Sequence, residues 1–63
     1  MTLRDLMDQV EITGRIVIME KSTSCYHGDA DHLVEYAKLL NKEIVHMFPA
    51  YVDSKNGICI WIK

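Results

Sequence analysis

Apolar positions recur along this chain in changing rhythms, and each change of rhythm marks an element. Leu3, Leu6, Met7 and Val10 follow at i, i+3, i+4 and i+7, the spacing of one helical face, which predicts a helix over residues 3–10. Thr2 suits the N-cap, Asp5 stands at the capping-box position, and Asp8 adds negative charge near the helix start. Thr13-Gly14 breaks the pattern. RIVIMEK, residues 15–21, is short and dense in β-branched side chains, which predicts a strand. Ser22-Thr23-Ser24 is turn-like, Cys25-Tyr26-His27 predicts a short antiparallel return, and Gly28 ends it.

The helical rhythm returns in DADHLVEYAKLLN. At about 100° per residue, Ala30, Leu33, Tyr36, Ala37 and Leu40 share one face, expected to pack on the sheet, with Asp31, Glu35 and Lys38 opposite. Asp29 is the expected N-cap and Asn41 the expected left-handed C-cap, with Lys38 and Lys42 favourable near the C-terminal end. KEIVHMFPAYVD then predicts a strand. Pro49 has no N–H to give to a ladder, so this strand belongs at a sheet edge or carries a bulge. Asp53-Ser54-Lys55-Asn56-Gly57 predicts a hairpin loop with Asn-Gly at its end, and ICIWIK closes as the last strand. The expected fold is a single α+β domain over residues 1–63, in the order helix-strand-strand-helix-strand-strand, with a mostly antiparallel sheet packed by two helices.

Two strands break the alternation of a half-buried sheet. In ICIWIK, Ile58, Ile60 and Ile62 fall on one face and Cys59 and Trp61 on the other; in RIVIMEK, Ile16 and Ile18 oppose Val17 and Met19. A sheet covered on one side should be polar on the other. Two-sided apolarity places the last strand inside the sheet, away from an edge. Two short helices can cover one face and leave the other bare, or cover each face poorly. The isoleucines suit the core, so Val17, Met19, Cys59 and Trp61 are the expected interface, covered by another chain. Phe48 and Tyr51 carry no assignment from spacing alone.

Composition narrows the partners. The 63 residues carry seven Lys+Arg against nine Asp+Glu, a net charge of −2. The basic residues are dispersed, which argues against nucleic acid as a partner. No apolar run reaches the ~18 residues of a membrane span, and the opening MTLRDLMDQV carries acids where a signal peptide is apolar. A cytoplasmic protein is expected, with Cys25 and Cys59 as reduced thiols.

CYHGDADH, residues 25–32, raises the question of chemistry: a thiol, two imidazoles and two carboxylates stand within one short stretch. In an extended segment Cys25 and His27 would share a face, with Cα atoms about 6.5–7 Å apart, and His32 or an Asp could complete a metal shell. Structural zinc sites usually pair two half-sites, however, and only one is present. The same residues are accounted for as a strand end, a bend and a helix cap, so no metal and no cofactor is expected. A thiolate nucleophile would need a base and an orienting group beside it. Nothing in the sequence places them together, and no Gly-rich phosphate loop occurs; an enzyme is not expected.

The whole-chain order, from the opening T-L-R-D-L-M helix through the strand ending in Gly28 to the alternating isoleucines at the end, resembles short phage- and prophage-encoded accessory proteins of Gram-positive bacteria. The resemblance carries no catalytic motif. It implies a small α+β protein that binds a host or phage component. The leading expectation is a non-enzymatic protein-binding module, a phage accessory or anti-defence factor, that self-associates as a homodimer or masks a partner through its sheet. The alternative is a small metal-binding protein using Cys25 and His27.

Overall fold

The computed structural model describes residues 1–10, 12–52 and 54–63. Helix α1 covers Leu3–Gln9, and its start is built as its sequence dictates. The Thr2 hydroxyl accepts from the Asp5 N–H at 3.2 Å while the Asp5 carboxylate accepts from the Thr2 N–H at 3.1 Å, a reciprocal capping box. Leu3 and Leu6 point into the core.

Strands β1 (Arg15–Glu20) and β2 (Thr23–Asp29) form an antiparallel hairpin. The turn is tighter than the expected Ser22–Ser24. Lys21 and Ser22 both take left-handed backbone, with φ of 51° and 67°. Two successive residues of that hand match the right-handed twist of the flanking strands, so pairing resumes at once with Glu20 opposite Thr23. Thr23 and Ser24 therefore belong to β2, which is longer than its apolar residues suggested. The ladder shifts between Ile18 and Met19, leaving Cys25 as the extra residue of a bulge.

Residues 30–40 depart from the expected single helix. Ala30–Glu35 winds as a 3₁₀ segment, the chain kinks at Tyr36 (φ −105°, ψ 67°), and α2 spans only Ala37–Leu40. Ala30 and Leu33, three apart, still face the core, because in a three-residue turn i and i+3 eclipse. The kink turns Tyr36 and Ala37 out of the predicted stripe; both are exposed, although the Tyr36 ring still meets Tyr26 edge-on at 4.8 Å between centroids. Asn41 remains right-handed (φ −88°, ψ −2°), so it is not the left-handed cap that was expected.

Strands β3 (Ile44–Val52) and β4 (Lys55–Ile62) make the second antiparallel hairpin. The Asn56-Gly57 turn expected there is not a turn: pairing runs up to Val52 opposite Lys55, and Asn56 and Gly57 lie inside β4. Ser54 takes the left-handed backbone (φ 62°), and Asp53 lies outside the described residues. The sheet order is β2-β1-β4-β3, with β1 and β4 parallel at the centre. The sheet is thus mixed, since the two hairpins lie side by side with their inner strands running the same way. Pro49 sits in edge strand β3, as its missing donor requires. The start of β3 is shifted by a bulge between Ile44 and His46, and Thr2 bridges antiparallel to Glu43 just before it.

Leu3, Leu6, Ala30, Leu33 and Leu40 form one buried cluster with Ile16, Ile18, Ile60 and Ile62. Both helical regions therefore cover the same side of the sheet. Gly57 is required where β1 meets β4: a Cβ there would stand 2.5 Å from the Arg15 backbone oxygen and 3.1 Å from Val52 Cγ2. Gly57→Ala is expected to cost more than the roughly 1–3 kcal/mol typical of overpacking, because a backbone atom cannot rotate away. Urea denaturation checks this, with Gly14→Ala, a positive-φ position (φ +90°) in uncrowded space, as the milder reference.

Candidate functional site

The CYHGDADH stretch is used by the fold. Cys25 Sγ lies 3.9 Å from the Glu20 carboxylate and 3.8 Å from the Thr23 carbonyl oxygen. Tyr26 turns inward among the core residues, and its hydroxyl donates to the Asp29 carbonyl, closing the end of β2 onto the 3₁₀ segment. Asp29 makes no side-chain cap; its carboxylate instead accepts from Arg15 at 3.1 Å, across the first pair of the β1–β2 ladder. The reason is geometric: the residues after it wind as 3₁₀, and Arg15 is directly opposite. His27 and His32 are exposed. Among the described residues no group of His, Cys, Asp and Glu is arranged to hold a metal ion, and both cysteines are free thiols.

Two outcomes follow from these contacts. Asp29→Ala should cost below about 1 kcal/mol, the loss of an exposed ion pair, with no cap contribution; chemical denaturation of Asp29→Ala, Arg15→Gln and the double variant should show this as a coupling confined to that pair. Burial raises the Tyr26 pKa above its ordinary value of 10.0, with Tyr36, Asp29 and Glu35 raising it further and Arg15 opposing. The folded state thus holds this proton more tightly than the unfolded chain. The associated stability is complete below about pH 10 and is lost as pH rises above it towards the folded-state value. Alkaline denaturation of wild type should be steeper than that of Tyr26→Phe, which lacks the titrating group.

The sheet side away from the helices carries the other set of side chains. Register places them in rows: Val17 lies between His27 and Cys59, with Phe48 beyond; Met19 lies between Ser24 and Trp61, with His46 beyond; Gly57 lies between Arg15 and Ala50. Of the residues expected to form an interface, Val17, Met19 and Trp61 are half-buried, while Cys59 retains only 8% of its surface because its neighbours in the row enclose it. Phe48, in register with Cys59, is 45% exposed. Strand and register thus bring Val17, Met19, Cys59 and Trp61 together on one surface and add Phe48 and Ala50. Counting outward from the correct turn would have found both, since Val52 opposite Lys55 puts Phe48 opposite Cys59. Placing the turn at Asn-Gly obscured that register.

The opposite side of β3 is also apolar at its rim, with Met47 and Tyr51 exposed beyond the reach of the helices. Among the described residues no cavity is present and no helix is long and apolar enough to cross a membrane. No family model matches the chain, and neither the curated proteins nor the solved structures contain a match.

Proposed function

We propose that this chain is a non-enzymatic protein-binding module whose working surface is the helix-free face of the sheet. The observation that carries this reading is the placement of α1, the 3₁₀ segment and α2 on one side of the sheet, against strands β1 and β4 that are apolar on both sides. Large aromatic and aliphatic side chains on a flat surface gain most when a second surface desolvates them. Trp61 lies in the end row of this face, between Met19 and His46, and is the largest aromatic side chain there, the residue type in which interface energy concentrates. A chain of this size encloses a modest core, and a partner on the second face extends it. Such a module suits the accessory, partner-masking role that the resemblance to phage-encoded proteins implies.

Affinity capture tests the reading, with tagged wild-type chain as bait and an excess of the untagged chain added to a bacterial lysate as prey. A retained protein, whether the untagged copy or another identified chain, should be lost from Trp61→Ala and Phe48→Glu baits, with Trp61→Ala weakening association by roughly 2 kcal/mol or more. Equal retention by all three baits, or retention by none, overturns it.

A further inference from the structure

The Asn56-Gly57 pair, expected at a turn, lies instead inside β4. The fold fixes the second of these residues: a Cβ at position 57 would stand 2.5 Å from the Arg15 backbone oxygen. Asn56 precedes it with an exposed side chain. An asparagine followed by glycine is a reactive peptide link, because no glycine side chain hinders its nitrogen from approaching the neighbouring carboxamide.

The reaction needs only water. The Gly57 nitrogen gives its proton to water and attacks Cγ of Asn56. The carboxamide nitrogen takes up a proton from water and leaves as ammonia, and a five-membered succinimide closes. Water then opens that ring at one of its two carbonyls. Cleavage at the former side-chain carbonyl restores the main chain with an aspartate at position 56. Cleavage at the main-chain carbonyl leaves the chain running through the former side chain, an isoaspartyl link with one extra methylene in the backbone. Water enters, ammonia leaves, and nothing is oxidised or reduced.

The strand holds the reacting atoms apart. Ring closure requires Cβ of Asn56 and the nitrogen of Gly57 to eclipse about the Cα–C bond, whereas a strand ψ of about +135° keeps them roughly a third of a turn from it. Tyr51 pairs with Asn56, and Ala50 and Arg15 flank Gly57 on its two sides, so the rotation needs β3 and β1 to let go. We propose that Asn56-Gly57 is a modification site that the sheet keeps latent: it rearranges where the β1–β4 seam is open, and the isoaspartyl chain cannot close that seam again. The extra methylene falls just before the first pair of the seam, Arg15 with Gly57. It puts Lys55 and Asn56 out of step with Val52 and Tyr51, their partners in β3. Glycine at position 57 cannot be given up, so the fold itself retains the reactive link. Rearrangement there converts reversible unfolding into irreversible loss.

Peptide mapping by mass spectrometry tests this at mildly alkaline pH, with electron-transfer fragmentation to separate isoaspartate from aspartate at position 56. Wild-type chain in guanidinium chloride should convert at least about tenfold faster than wild-type chain in buffer, where circular dichroism verifies the fold. Ile60→Ala, which weakens the seam from its fully buried core side, should convert faster than wild type in buffer. After the denaturant is removed, the isoaspartyl fraction should fail to regain the wild-type spectrum. Asn56→Asp and Asn56→Ser, which keep the normal backbone, should refold. No conversion in denaturant, or equal conversion in denaturant and in buffer, overturns the latent site. An isoaspartyl chain that refolds like wild type overturns the block on the seam. Failure of Asn56→Asp to refold overturns the role given to the extra methylene, since the added charge alone would then account for the loss.

Discussion

The parallel contact between β1 and β4 is the joint on which the rest of the structure depends. Each hairpin is local, but neither has a core of its own. Register brings Ile16 beside Ile58 and Ile18 beside Ile60, and the helical regions dock on the isoleucine surface so formed. The paired residues are 42 positions apart, Arg15 with Gly57 and Glu20 with Ile62. Closing a loop of that length costs about 3 kcal/mol beyond a constant, whereas each fully buried isoleucine returns roughly 1.5–3 kcal/mol. Ile16, Ile18, Ile60 and Ile62 together outweigh the closure, and on the other face Gly57 lets the Arg15 backbone and Val52 come close at the start of the seam.

Where the chain states its structure through side-chain rhythm, the structure follows. The α1 stripe as far as Met7 and its Thr2–Asp5 box, the two-sided β1 and β4, and Pro49 at an edge are all legible because each rests on a local rule. Val10, expected to end the stripe, is instead an extended and exposed C-cap. Residues 30–40 are less so. Their apolar spacing of three and four fits an α-helix and a 3₁₀ turn equally up to Leu33, and the tie is broken by tertiary contacts: Ala30 N–H donates to the Gly14 carbonyl at 2.9 Å and the Tyr26 hydroxyl holds the Asp29 carbonyl. Neither is visible in the local sequence. The same holds for the second hairpin, where the Asn-Gly turn signal yields to the β1–β4 seam, which needs Gly57 inside the strand.

The candidate surface was legible in part for the same reason. Alternation alone assigns Val17, Met19, Cys59 and Trp61 to one side, and that depends only on each strand being straight. Phe48 and Ala50 required the register between β3 and β4, a non-local quantity. CYHGDADH shows the converse: a stretch rich in chemically able side chains is occupied by folding contacts, with Tyr26 in the core and Asp29 on Arg15.

A sheet that exposes an apolar face can also grow sideways, strand against strand, into fibres. β3 is guarded against this along much of its length. Pro49 offers no N–H to an incoming strand, the bulge between Ile44 and His46 puts its start out of step, and Thr2 bridges to Glu43 just before it. β2, at the other edge, is put out of register by its bulge at Cys25 and turns at once into the 3₁₀ segment. Lateral addition is therefore unfavourable on both margins, so the apolar residues on the helix-free side do not by themselves open a route to strand-by-strand polymerisation.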